Sequence, residues 1–262
     1  MTDRPLDLDT SVPSPARIYD LWLGGHDHYE IDRVVSEQIL AAVPDLPVLA
    51  RANREFLGRA VRHLAGEAGV RQFLDVGTGI PTADNTHQVA QSVAPDSRVV
   101  YVDNDPTVLA HARELLRAAP AGTTVFVEGD LRDPGKILAS AAELLDFDRP
   151  IGLTLLGVVD FVPDTGAART IIRDLMSAMA PGSHLVLSHG LAGKQLEEGV
   201  RHWNESGGSP MTLRTLEEVT SFFDGLELLE PGVVPLPRWR PAPETLYTDR
   251  EAVYYAGVGR KP

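Results

Sequence analysis

Short runs of β-branched and aliphatic residues alternate with stretches of helical periodicity along most of this chain. FLDVGTG (73–79), VVYVDND (99–105), TVFVEGD (124–130), LTLLGVVDF (153–161) and HLVLSHG (184–190) read as strands, because short apolar runs closed by Gly, Asp or Asn suit strands buried on both faces. Between them lie helical patterns. One runs from about Thr82 to Val93, and a second starts at Pro106 and sets Val108, Leu109, Ala112, Leu115 and Leu116 on one face. A third carries Ile137, Leu138, Leu144 and Leu145, and a fourth carries Ile171, Ile172, Leu175, Met176 and Met179 and stops at Pro181-Gly182. Strictly alternating elements of this kind predict a parallel sheet with helices on both faces.

The two ends depart from the alternation. Residues 1–15 read as a polar tail, and two helical patterns follow from Ala16, interrupted at Gly24-Gly25; a third, ANREFLGRAVRHLAGEAG, follows Pro47. Beyond the fifth strand, residues 191–210 read as a polar helical insertion, and TLEE (215–218) has the form of a capping box. LELLEPG and VYYAGVGRK, separated by the proline-rich PGVVPLPRWRPAPE (231–244), predict a closing antiparallel hairpin. The expected organisation is a tail and helical cap over 1–69 and an α/β unit over 70–262, forming one compact body.

The candidate chemistry lies at the strand ends. The first four runs deliver carboxylates: Asp75, Asp103, Asp130 and Asp160. In open α/β sheets ligands bind outside the carboxyl ends of the strands, and an acid about 20 residues past a glycine turn takes ribose hydroxyls. Gly77 and Gly79 supply two glycines of a dinucleotide fingerprint, but Thr82 stands where the third belongs. Asp75 lies inside the first run, where an acid must meet solvent or a cationic partner. The combination favours a nucleotide-like ligand with positive charge over a pyrophosphate, and S-adenosylmethionine has that chemistry. Asp105-Pro106 also reads as a helix N-cap followed by proline at the first helical position.

Composition narrows the choice of partners. The chain has 262 residues and a formal net charge of -13, which argues against a nucleic acid substrate, since phosphate binding needs a basic surface. It has no cysteine, so thiolate catalysis and disulfides are excluded. The acidic start MTDRPLDLDT lacks the form of a signal peptide, and no apolar segment is long enough to span a bilayer. A cytoplasmic protein with no membrane association is expected.

Seven strands, acids after the first three and a closing hairpin resemble the class I S-adenosylmethionine-dependent methyltransferase fold, a Rossmann-like, mostly parallel sheet with one antiparallel strand near the C-terminus. PSPARIYDLWLGG, Asp32-Arg33, ARANREFLGRAVRHLA, VRQFLDVGTGIPT, VVYVDNDPTVLAHAR and YYAGVGRKP together resemble one S-adenosyl methyltransferase family long catalogued as a domain of unknown function. Members often carry asparagine where this chain has His28.

The resemblance implies S-adenosylmethionine as cofactor and a small-molecule methyl acceptor. Asp75, Gly77, Thr78 and Gly79 would surround the methionyl part, Asp103 the ribose, and Asn104, Asp130 and Leu131 the adenine. Gly157, Val158 and Phe161 would flank the methyl-transfer site. The segment Ala16 to Tyr29 is expected to fold over the cofactor as a lid, with Tyr19, Leu23, Gly24 and Tyr29 in the pocket, and Arg51 and Arg54 are candidates for the methionyl carboxylate. His26, His28, Asp160 and His189 are candidate bases, none with a diagnostic spacing. Two alternatives stay open: an NAD-dependent oxidoreductase, and a regulatory protein that binds the cofactor without turnover.

Overall fold

The computed structural model describes residues 9–82, 84–111, 123–241 and 253–262. Helix α1 (Pro15–Leu23) starts with Ser14 as N-cap and proline at its first position, and ends at Gly24 with φ 91°. A β-carbon on Gly25 would lie 2.1 Å from the Asp20 carboxylate, so the Gly24-Gly25 pair is what lets the chain turn sharply out of the helix. Helix α2 (Glu30–Ala42) follows, and α3 (Leu46–Gly66) then leads into the sheet. The tail expected to run through residue 15 is anchored at its end: Ser14 is buried and its backbone N–H donates to Asp32 at 2.9 Å.

The strands are β1 (Gln72–Val76), β2 (Arg98–Asp103), β3 (Thr124–Glu128), β4 (Gly152–Leu156), β5 (His184–Gly190), β6 (Glu227–Leu228), β7 (Val234–Pro235) and β8 (Tyr254–Arg260). Their order is β3-β2-β1-β4-β5-β8-β6, with β7 also pairing with β8. The first five are parallel, and β8 runs antiparallel to β5, β6 and β7. The sheet therefore has eight strands rather than the seven expected. The extra one comes from the proline-rich stretch, where proline is tolerated because the strand is a two-residue piece at the sheet's margin. The first hairpin strand is also shorter than LELLEPG suggested.

The remaining helices are α4 (Thr86–Val93), α5 (Pro134–Ala141), α6 (Thr165–Ser177), α7 (Lys194–Glu205) and α8 (Leu216–Thr220). Helix α4 starts four residues later than its apolar pattern implied. Asn85 stops it there, because its side chain accepts from Thr82 N at 3.1 Å while Gln88 caps Asn85 N at 2.9 Å. The capping box at Thr215 and the N-cap at Asp105 form as expected. A helix opens at Pro106; Ala112, Leu115 and Leu116 lie outside the described residues.

Side-chain alternation along the strands separates two cores. Leu74, Val76, Val100, Val102, Leu153 and Leu185 face α5, α6 and Phe222–Phe223 on one side. Phe73, Val99, Tyr101, Val186 and Val258 face α3, α4 and Trp239 on the other. Asp75 and Asp103 fall on this second face by the two-residue period, which aims both toward α3 and α4. A third, smaller cluster of Ile18, Val35, Ile39 and Trp203 joins α1, α2 and α7 into a roof above the carboxyl ends of the strands.

Candidate active site

A cavity of about 710 Å³ opens between that roof and the carboxyl ends of β1, β2 and β4. The position follows from topology: β1 is flanked by β2 on one side and β4 on the other, so connections leave in opposite directions and a crevice is left between them. The volume is in the usual range for ligand sites.

At one end the walls are polar. Asp75 is buried, and its two carboxylate oxygens accept from Thr86 Oγ1 and Thr154 Oγ1, each at 2.6 Å. Burial raises its pKa, and the two threonine hydroxyls and the Arg54 guanidinium pull it back only in part. The partner that the sequence demanded for this acid is thus supplied mainly by hydroxyls within the fold. Gly77 has φ 72°, and a β-carbon there would sit 2.4 Å from Val158 Cγ2, so only glycine fits the turn. Gly79, at φ 67°, has nothing within 4 Å of a β-carbon position, which leaves open space beside its backbone.

Asp103 accepts from Gly79 N and from Asp105 N, both at 2.9 Å. Burial lifts its pKa to about 6 against these lowering contacts. Asp130 is held differently: Arg132 binds it through Nε at 2.9 Å and through its backbone N–H at 2.8 Å, and Asn104 Nδ2 donates to it at 3.2 Å. The Arg132 side chain is the main reason that its pKa falls to about 2. Ser14 at the start of α1 donates to Asp105, tying the N-terminal segment to the end of β2.

Midway along, Tyr254 from β8 approaches Gly157. A β-carbon on Gly157 would meet the Tyr254 hydroxyl at 3.3 Å and Asn53 Nδ2 at 4.0 Å. Asn53 is fixed by Ser188 Oγ, which donates to its Oδ1 at 2.8 Å, and its Nδ2 points to the Tyr19 hydroxyl at 3.4 Å. Tyr19 itself donates to Ala50 O at 2.9 Å. Beyond this junction the walls turn apolar, with Trp22, Ile39, Leu46, Phe161, Leu196 and Trp203 among them.

The cavity brings together Asp75, Gly77, Thr78, Gly79, Asp103, Asn104, Asp130, Leu131, Gly157, Val158, Phe161, Tyr19 and Arg54 from the sequence-derived set. It leaves out Gly24, Leu23, Tyr29 and Arg51, because the turn after α1 carries the chain away from the cavity and Arg51 is exposed. Of the lid residues named from sequence, Tyr19 alone lines it.

None of the four candidate bases lines the cavity. His26 is exposed, and the buried His28 Nδ1 has no hydrogen-bond partner. His189 is buried with both ring nitrogens committed: Nδ1 lies 2.7 Å from Gly190 O, and Nε2 lies 2.7 Å from Arg214 Nη1. That pattern fits a proton on Nδ1 and a scaffold role. Asp160 accepts from Gly190 N at 3.0 Å and does not line the cavity, but its carboxylate lies beside the Tyr254 hydroxyl, which does. Asn53, Tyr254 and Ser14 carry no motif that would mark them in the sequence. Each sits on an element whose own pattern gives no sign of where it is aimed, although the Tyr254-Tyr255 pair opening β8 was a visible hint.

The fold is that of class I methyltransferases: a mostly parallel α/β sheet with an antiparallel region near the C-terminus. The chain belongs to the S-adenosyl methyltransferase family, whose model matches residues 1–262. It is 45% identical to a DUF574 family protein from Streptomyces avermitilis MA-4680, with a TM-score of 0.92 over 97% of this chain and 99% of the other. It is 40% identical to a candidate methyltransferase from Thermobifida fusca YX, with a TM-score of 0.90 over 100% and 99%. At 12% identity, magnesium protoporphyrin IX methyltransferase from Synechocystis PCC 6803, solved with bound SAH, shares the fold with a TM-score of 0.55 over 94% of this chain and 93% of that one. A comparison with curated proteins finds no match.

Proposed function

We propose that the protein transfers a methyl group from S-adenosylmethionine to a small organic acceptor, with positioning as the main source of acceleration. The carrying observation is a single cavity that joins the acidic strand ends to an apolar chamber, with Gly157 and Tyr254 at the junction. The donor brings a methyl carbon already activated by a sulfonium sulfur, so orientation of the reactants can supply much of the rate.

This chain's residues fit that donor. Asp103 accepts from the ribose hydroxyls, while Asn104, Asp130 and Leu131 frame the adenine edge. Gly77, Thr78 and Gly79 let the backbone come close to the methionyl part, and the open space beside Gly79 accommodates it. Asp75 and Arg54 give that end one group of each charge, and Gly157, Val158, Phe161 and Tyr19 border the reacting centre. The roof of α1, α2 and α7 closes the cavity from above. The net charge of -13 supports an acceptor other than nucleic acid, and no described helix is long and apolar enough to cross a membrane.

Calorimetry with S-adenosylhomocysteine and with NAD tests the reading. S-adenosylhomocysteine is expected to bind and NAD to give no heat. Binding of NAD, or of neither, would overturn it.

A further inference from the structure

The chamber beyond the methyl-transfer junction has a composition that restricts what can occupy it. Among the described residues between Ile18 and Ala50, and again from Leu156 to Tyr254, no lining side chain carries a formal charge. A charged acceptor group there would be stripped of water with no counter-ion to compensate, which is costly. The walls are instead aromatic and aliphatic. Trp22, Phe161, Trp203 and Met211 belong to the roof cluster, with Phe161 and Trp203 edge to face at 6.1 Å between centroids. Trp22, Phe161 and Met211 remain half-buried while lining the cavity, so part of their apolar surface is presented to it.

The polar groups at the junction are neutral. Asn53 has its carbonyl side used by Ser188, which leaves its N–H groups turned toward Tyr19 and Gly157. Tyr254 presents a hydroxyl beside the same glycine. Burial, and then the nearby Asp160 carboxylate, hold the Tyr254 pKa well above the ordinary phenol value, so it keeps its proton and acts as a neutral hydrogen-bonding group. The amide N–H of Asn53 matches an oxygen on the acceptor, and the Tyr254 oxygen, whose proton is drawn toward Asp160, accepts from a hydroxyl. An ammonium in the chamber would meet no carboxylate directly: both oxygens of Asp75 already accept from threonines, and Asp160 lies outside the lining, behind the Tyr254 hydroxyl.

We propose that the acceptor is an uncharged, bulky, largely aromatic molecule presenting a hydroxyl, with its rings in the Trp22–Phe161–Trp203 chamber and the hydroxyl against Asn53 and Tyr254. This rests on the methyltransferase reading and goes beyond it by naming the acceptor class.

Calorimetry at pH 7.5, on the full chain saturated with S-adenosylhomocysteine, compares three probes that share one ring system: 2-naphthol, 2-naphthoate and 2-naphthylmethylammonium. The naphthol is expected to bind at least tenfold more tightly than either charged probe. Val200→Trp, which fills the chamber from α7, is expected to weaken naphthol tenfold or more while S-adenosylhomocysteine affinity stays within twofold. Leu213→Glu gives the same readout if that variant does not fold. The proposal fails if naphthol does not bind, if a charged probe matches it, or if both folded variants bind naphthol as the parent does. Failure of S-adenosylhomocysteine to bind the parent protein would instead overturn the methyltransferase reading, so the two failures are distinguishable.

Discussion

The two ends of the cavity are built by opposite means. The donor end is made by strand termini: Asp75, Asp103 and Asp130 stand where β1, β2 and β3 finish, and each is held by hydrogen bonds within a few residues or from an adjacent strand, helix or strand-end turn. The acceptor end is made by helices from distant parts of the chain, α1 and α2 from the N-terminus and α7 from after β5, which meet through Ile18, Val35, Ile39 and Trp203. One end is thus fixed by the sheet itself. The other depends on docking of a helical layer, and few polar contacts govern how it docks.

The strongest of those contacts offers the sharpest way to separate the two ends. Arg17 on α1 and Asp32 on α2 form a buried ion pair at 2.7 Å, with 4% and 0% side-chain exposure, and Asp32 also accepts from Ser14 N and Tyr29 N, both at 2.9 Å. Asp32→Ala leaves a buried guanidinium and two N–H groups without their acceptor, so a loss of about 3–5 kcal/mol is expected. If the roof docks as a unit, chemical denaturation will show a lowered midpoint and hydrogen exchange will rise first in α1 and α2, while β1 to β5 stay protected. Uniform loss of protection across the sheet would show that the two ends are not separable.

The same contrast explains what could be read without a structure. The parallel strands, the acids and the glycine turn were legible because each is a local pattern: an apolar run, its closing residue and a turn that tolerates positive φ. Asp105 as a cap and Thr215 as a capping box were legible for the same reason. The roof was not. Arg17 and Asp32 read as ordinary charges on two amphipathic helices, and only the fold shows that their polar faces meet. The catalytic candidates His189 and Asp160 follow the same logic in reverse: they sit at or just beyond strand ends, as ligand-binding residues do, yet they pair with Arg214 and with Gly190 N and neither lines the cavity. Strand β7 was hidden because two residues, one of them proline, carry no periodicity.

The donor end can be probed by a smaller change. Asp103→Asn keeps the shape but can no longer accept from both ribose hydroxyls while also holding Gly79 N and Asp105 N. S-adenosylhomocysteine affinity should fall by about 2 kcal/mol, as expected for a hydrogen-bonded charged acceptor, or roughly 30-fold. The pH dependence follows from the raised pKa of about 6. The carboxylate is the binding form, so affinity in the parent protein should decline as pH falls through about 6, and the variant should lose that inflection. Stability runs the other way. Folding raises this pKa from the ordinary 3.8, so the contribution of Asp103 to stability is full below that value and is lost as pH rises through about 6. A ligand titration that stays flat between pH 5 and 8 would remove Asp103 from the ribose site.

The smallest expected effect tests whether the two ends communicate. Ser14 is the one side chain that both caps the roof's first helix, accepting from Arg17 N at 3.4 Å, and donates to Asp105 at the end of β2. Ser14→Ala removes the cap and the link together, and loss of a cap costs about 1 kcal/mol. If the N-terminal segment only covers the cavity, that stability loss should leave S-adenosylhomocysteine affinity within twofold. If the link orients the β2 turn that carries Asp103 and Asp105, affinity should fall about fivefold, matching that same 1 kcal/mol, and Ser14→Thr should restore it by returning the hydroxyl. The rescue is decisive, since a general loosening of the helical layer would not be reversed by a hydroxyl in this one position.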